Sequence, residues 1–373
     1  MSRTIFYGIC GIGMGHTYRQ LPIIDNLAKR HDIALFAYDA SYVFYREHFR
    51  NNRRVTIVPV AVPFYAGNEH GLDFMATAEH NNNAQDFFKI NAIASEFVNT
   101  KFGKPDLVIT DYEPVSAQLA YAHNAPLVTI DQQSKLLVAR VPEDINGFRY
   151  NDEVMRLRMF FPKAAARIAT SFFKVTQVEN PTEQVSIYPA IVKDSIVQLK
   201  RRPKSGGKHK ILIYFSAQQQ LKQTVNEVLA ICANVGQAAE FHIFFPRSSV
   251  QRSSQPSSNV YVYPHGNEQF MQVMSECHGV VTTAGHGLLS EAMYLGIPVY
   301  ALPLDIYEQQ LNAYEVAKYG FGMASERLEL ESLGKFLREL PLFTAAIAQD
   351  TSVLQRGPGQ GQILSFLEEN FLK

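Results

Sequence analysis

Two stretches of the chain hold residues whose types and spacing could do chemistry. The first is GIGMGH, residues 11–16, which follows a short apolar run and precedes a helical pattern. A histidine at such a strand-to-helix turn has an ordinary pKa of about 6.5 and can take a proton from a hydroxyl near neutral pH. Asp111, within PDLVITDYEP at 105–114, also closes an apolar run. A carboxylate bonded to one imidazole nitrogen fixes the tautomer and steadies the charged ring. Each residue has a plainer reading: His16 could bond its local backbone, and Asp111 could cap the next turn. Gly13 and Gly15 let the backbone turn sharply and let a ligand come close, and the helix start favours negative charge.

The second stretch is TTAGHGLLSEAMYLGIPVYALPLDIYEQQLNA, residues 282–313. It reads as a strand, a glycine turn, a helix over 287–295, Gly296 as the stop, and Pro298 leading into another strand. Gly285, His286, Gly287 and Leu288 form the turn and helix start, where free backbone N–H groups can seat a phosphate. Glu291, one turn further on, is placed to accept both hydroxyls of a ribose. Its plainer role is to complement the helix dipole, worth a few tenths to about 1 kcal/mol. Glu308 and Gln309 offer acceptors and donors side by side, as a grip on sugar hydroxyls requires, or they are solvated polar residues at a helix start. A dinucleotide fingerprint fits the first loop poorly. Gly11, Gly13 and Asp39 are in place, but His16 stands where close packing wants Gly or Ala, which argues against NAD.

Positioning these groups needs strands that end at them. Short apolar runs at 5–10, 33–38, 55–60, 107–110 and 127–130 alternate with helical patterns, and the signal restarts at 211–215, 241–245, 260–263, 279–282 and 298–301. That alternation indicates α/β units with parallel, doubly wound sheets. Two Rossmann-like domains are expected, at 1–185 and 210–355. A linker at 186–209 includes the basic, Gly- and Pro-containing KRRPKSGGKHK, and a C-terminal helix lies within 356–373. Two such domains facing a cleft place a ligand at the carboxyl ends of their strands.

The length of 373 residues agrees with two to three domains at about 150 each. Thirty-five basic residues balance 35 acidic ones, which argues against a protein held to nucleic acid by bulk charge. Three scattered cysteines give neither a disulfide framework nor a metal pair, so a reducing, cytoplasmic setting is expected. No signal peptide or spanning segment is read.

With these residues in view, the chain resembles the nucleotide-sugar glycosyltransferases of the GT-B fold, families 1 and 28. The latter includes the N-acetylglucosaminyltransferase of the peptidoglycan precursor. Gly15-His16 matches the N-terminal pattern, and Gly285, Glu291, Gly296, Pro298, Pro303, Glu308, Gln309, Asn312 and Ala313 match the C-terminal one in order and spacing. The resemblance implies an inverting, metal-independent hexosyl transfer from a nucleotide-diphosphate sugar, with uridine diphosphate as leaving group, to a hydroxyl acceptor. It implies His16 as base and Asp111 as its partner. The donor would be held by the Gly13–Gly15 loop, Ser216, residues 285–288, Glu291, Glu308 and Gln309. Plant-type members carry a histidine where this chain has Thr283, which leaves backbone contact to the diphosphate. No cofactor or metal is implied.

Two alternatives stay open: a nucleotide-sugar 2-epimerase of the same fold, and a non-catalytic nucleotide-sugar-binding regulator. The acceptor is not readable. Residues 146–178 form a basic, aromatic stretch read as helical, suited either to an anionic membrane surface and a lipid-linked or glycan acceptor, or to a solvated face of the first domain.

Overall fold

The computed structural model describes residues 2–68, 70–81, 84–203, 206–215, 222–245 and 257–373. In the first half, β1 (Thr4–Ile9), α1 (Gly15–Leu27), β2 (Asp32–Ala37), α2 (Asp39–His48) and β3 (Val55–Pro59) alternate. A small hairpin, β4 (Gly67–Asn68) and β5 (Gly71–Leu72), leads to α3 (Phe74–His80) and α4 (Ala84–Phe102). The sheet resumes with β6 (Leu107–Asp111), α5 (Pro114–His123) and β7 (Leu127–Asp131), followed by a 3-10 turn at Gln133–Leu137. A second hairpin, β8 (Asp144–Ile145) and β9 (Phe148–Arg149), precedes α6 (Asn151–Phe160), β10 (Ala166–Ser171), β11 (Ser186–Pro189) and α7 (Asp194–Val197).

The second half runs β12 (His209–Tyr214), α8 (Val225–Asn234), β13 (Ala239–Phe245), β14 (Val260–Pro264), α9 (Asn267–Glu276), β15 (Gly279–Thr282), α10 (His286–Leu295) and β16 (Val299–Ala301). It closes with α11 (Tyr307–Lys318), β17 (Gly322–Ala324), α12 (Leu330–Gln349) and α13 (Gln360–Asn370).

Strand order is β11-β10-β7-β6-β1-β2-β3 in the first large sheet and β14-β13-β12-β15-β16-β17 in the second, parallel throughout. The strands are apolar without alternation because helices cover both faces: every residue of β6 and β7 is buried. In each sheet the chain order reverses once, between β1 and β6 and between β12 and β15. Crevices for ligands open at such reversals, outside the carboxyl ends of the strands.

Residues 146–178 differ from the helix expected there. Only α6 is helical. Pro162 follows it, and β10 and the buried Phe172 and Phe173 occupy the rest. The alternation that looked helical belongs to a strand whose two faces are covered. The C-terminal helix α13 packs on the first domain, placing Ile363 and Leu367 against Ile5, Ile23 and Ile24. No helix is long and apolar enough to cross a membrane among the described residues.

Candidate active site

The first crevice is built from the turn after β1 and the end of β6. Gly11 is required there by close approach, since a Cβ would come within 2.4 Å of the Tyr38 carbonyl oxygen. Gly13 has φ +69, a left-handed conformation that costs a residue with a Cβ about 1–2 kcal/mol. Gly13 and Gly15 border open space. Helix α1 follows, with no side-chain cap on its first turn. It is pinned to the sheet by Tyr7, whose hydroxyl donates to Gln20 at 2.7 Å, and by Gln20, which donates to the Ile130 carbonyl at 2.8 Å.

This scaffold brings His16 and Asp111 together: Nδ1 lies 3.0 Å from Oδ1. Asp111 is the last residue of β6 and fully buried, and its carbonyl accepts from the Cys10 N–H at 2.9 Å. A third residue, which sequence reading missed, completes the cluster. Arg19 donates through Nε to Oδ2 at 2.9 Å and through Nη2 to Oδ1 at 2.5 Å. It stands three residues after His16 on the same helix, a spacing that puts both side chains on one face. Nη2 of Arg19 is also 2.7 Å from Nδ1 of His16. That nitrogen can donate to Asp111 or accept from Arg19, and only the first arrangement leaves Nε2 with a lone pair for an acceptor proton.

The charges are tightly coupled. Burial opposes ionisation of Asp111, but Arg19 and then His16 outweigh it and hold the carboxyl at about 2. Burial and Arg19 disfavour a charged His16, while Cys10 and Asp111 outweigh them and push the imidazole up to about 10. Burial raises the Cys10 thiol, yet the neighbouring imidazole brings it below its ordinary value. Beside this cluster, Tyr112 takes a positive φ of 59° and turns its ring toward His16, with 6.4 Å between centroids. Its hydroxyl donates to Glu153 at 2.8 Å, and Phe160 and Phe161 pack around it. These rings join Tyr112 to the first domain's apolar core.

The second crevice carries the other motif. Gly285 is the N-cap of α10 and has no side-chain capping bond, so the first-turn N–H groups of His286, Gly287 and Leu288 have no intrahelical partner. Gly285 and Gly287 border open space. Gly296 ends the helix with φ 71°. Asn312, buried on α11, donates to the Ala284 carbonyl at 2.9 Å and to Glu308 at 3.1 Å, tying the glycine turn to the next helix. Gln309 is buried, and its Oε1 accepts from the Leu304 N–H at 3.0 Å. Burial, then Lys135, Arg19 and His16, keep the His286 imidazole neutral, well below its ordinary pKa. Ser216 lies outside the described residues.

The two crevices face one another. Helices α1 and α10 are in contact, and the ring of His286 is 5.8 Å from that of Phe172 in the first domain. Lys193, from the segment joining the domains, bonds Glu291 at 2.9 Å and lies over the Tyr18 ring at 4.7 Å. Sequence reading missed it, because only the fold brings residue 193 beside residue 291. A depression of about 1200 Å³ opens elsewhere, at the N-terminal ends of β10 and β11, lined by Lys163, Arg167, Glu183 and Ser186. It lies away from the carboxyl strand ends, where parallel sheets bind ligands. Among the described residues, no three His, Cys, Asp or Glu side chains group closely enough to hold a metal ion.

Residues 3–341 match the family model described as "Glycosyl transferase family 1". No curated protein matches by sequence. Among solved structures, the chain is similar to the glycotransferase of kitacinnamycin, with 14% identity, a TM-score of 0.68 and 99% of each chain covered. It is similar to MurG of Acinetobacter baumannii, with 14% identity, a TM-score of 0.63, and 99% of this chain and 100% of that one covered. LpCGTa in complex with UDP gives 15% identity, a TM-score of 0.67 and full coverage of both chains at 100%. The shared architecture is GT-B, two parallel-sheet domains across a cleft.

Proposed function

The chain belongs to glycosyl transferase family 1 and is a glycosyltransferase; from that premise we propose an inverting, metal-independent transfer from a nucleotide-diphosphate sugar to an acceptor hydroxyl. The observation that carries this reading is the 3.0 Å pairing of His16 with Asp111 at one sheet's reversal point, opposite an uncapped helix start at the other's.

His16 takes the proton from the acceptor hydroxyl through Nε2 while Asp111 holds Nδ1–H. The acceptor oxygen attacks the anomeric carbon from the face opposite the diphosphate, so configuration inverts. The first turn of α10 meets the charge that develops on the leaving group, which removes the need for a metal ion at that position. Glu291 accepts from the ribose hydroxyls, and Glu308 with Gln309 holds the sugar. Uridine diphosphate is the leaving group we favour, and the UDP bound to similarly folded LpCGTa supports it. The three described cysteines are free and buried, in keeping with a cytoplasmic setting.

Against peripheral membrane contact through 146–178 stands the pairing of its arginines: Arg149 with Glu143, Arg156 with Asp152 and Glu153, and Arg158 and Arg167 with Glu183. Flotation on anionic liposomes tests that contact, and it is removed if the wild-type protein stays unbound.

The central test measures nucleotide affinity and turnover together. UDP should raise the melting point of the wild-type protein. His16→Ala should retain UDP affinity within about threefold while turnover falls about 10²–10⁴-fold. Undiminished turnover would overturn the base assignment. No shift with any nucleoside diphosphate would overturn the donor class.

A further inference from the structure

Lys135 sits in the 3-10 turn after β7, at the same edge of the first sheet as His16 and Asp111, and is only 2% exposed. A buried ammonium ordinarily pairs with a carboxylate, because a lone charge removed from water is costly. Among the described residues no carboxylate comes within ion-pairing distance of it. Among the described residues its ammonium makes one hydrogen bond, from Nζ to Oε1 of Gln132 at 3.3 Å, and the Phe173 ring lies 5.2 Å away. An ammonium has three N–H donors, so two are without an oxygen among the described residues. The carboxylates facing it from farther off are Glu308 and Glu315 on α11 and Asp131 at the end of β7, and the nearby cation is Arg19. Asp131 is already committed, accepting from the Ser134 N–H at 2.6 Å and the Ser134 hydroxyl at 2.8 Å.

Aromatic rings connect Lys135 to the start of α10. Phe173, beneath the ammonium, packs on Phe172 at 5.1 Å, and Phe172 lies 5.8 Å from His286, the first residue of α10. Nε2 of that imidazole is buried and has no hydrogen-bond partner among the described residues. Lys135 and His286 thus share the Phe172–Phe173 pair at the start of α10, where the diphosphate is proposed to rest, and Glu308 at the start of α11, proposed to hold the sugar, faces Lys135 from farther off. In a nucleotide sugar the group between those two is the phosphate that carries the sugar.

We infer that Lys135 is an anion-binding residue of the donor site, donating its free N–H groups to the oxygens of the sugar-bearing phosphate. As the acceptor oxygen bonds the anomeric carbon, the bond from that carbon to the phosphate oxygen breaks and its electron pair stays on the phosphate. The acceptor proton goes to His16, and Lys135 keeps its own protons. This inference rests on the function proposed above.

Melting points and binding of UDP, inorganic pyrophosphate and uridine to the wild type and Lys135→Met test it. Without ligand, the Met variant should melt about 2–4 °C higher, since a buried unpaired charge is replaced by an apolar chain of similar length. Its affinity for UDP and for pyrophosphate should fall about tenfold or more, with uridine binding unchanged. Wild-type-like UDP and pyrophosphate affinity in the folded variant would overturn the assignment while leaving the donor class intact. Failure of the wild type to bind either would overturn both. Should the Met variant not fold, Lys135→Gln is read by the same criteria.

Discussion

At His16 the surroundings pull in opposite directions, and that sets how the base responds to pH. With its pKa pushed up to about 10, the ring carries its proton at neutral pH in the free protein, so turnover by a neutral base rises as pH increases toward that value. Cys10 is one cause of the upward shift and Arg19 opposes it. Cys10→Ser should therefore move the rising limb of kcat/KM to lower pH, and Arg19→Met should move it higher. A pH–rate series on both variants checks the signs, and parallel shifts would contradict the coupling. The same shift acts on stability. Because the folded pKa is raised above 6.5, the contribution is fully present below pH 6.5 and lost as pH rises through 10. His16 and Asp111 were legible in the sequence because one ends the glycine turn after an apolar run and the other closes an apolar run. Arg19 was legible only in its i+3 spacing, and Cys10 was hidden because counting cysteines looks for pairs. Lys135 was not legible at all, since the lack of a partner is a property of three dimensions.

Among the elements, the glycine turn before α10 is tied to α11 by the buried Asn312. Asn312→Ala removes the donor to the Ala284 carbonyl and leaves that oxygen unpaired. The loss should be about 1–3 kcal/mol in denaturant unfolding, with a raised KM for the donor and a smaller change in kcat. A normal KM would show that the turn keeps its shape without the tie. Strands with unbroken apolar runs, such as Leu107–Asp111, were readable in place. Ala166–Ser171 was not, because Arg167 and Thr170 break its apolar run although both are buried in the fold. Arg167 has Glu183 at 3.2 Å, a partner the local sequence does not announce.

For the whole molecule, the chain ends on the domain where it began. Leu367 on α13 is fully buried in the first domain's core. Leu367→Ala should cost about 2–5 kcal/mol. The loss should appear in hydrogen exchange as faster opening of β1 and α1, with β12 and β15 protected as before. Equal loosening of both sheets would contradict the assignment of α13 to the first domain. The two-domain division was readable from the restart of the strand pattern. The return of α13 was not, since an amphipathic helix does not state which core it covers.

That return means the polypeptide passes between the domains twice, and the two passages are bonded side by side. Gly359 N–H donates to the Ala190 carbonyl at 2.9 Å and Gln360 to the Val192 carbonyl at 2.8 Å, while just before them Val353 accepts from Lys174 N–H at 2.6 Å and Gln355 N–H donates to Phe172 at 2.9 Å, both in the first domain. A single tether would let one domain swivel freely about it. Two parallel tethers clamped together resist twisting and sliding and leave one soft coordinate, a rotation about the line they define. A rotation of one domain on the other about that line would carry His16 and the start of α10, now on helices in contact, apart along a single arc.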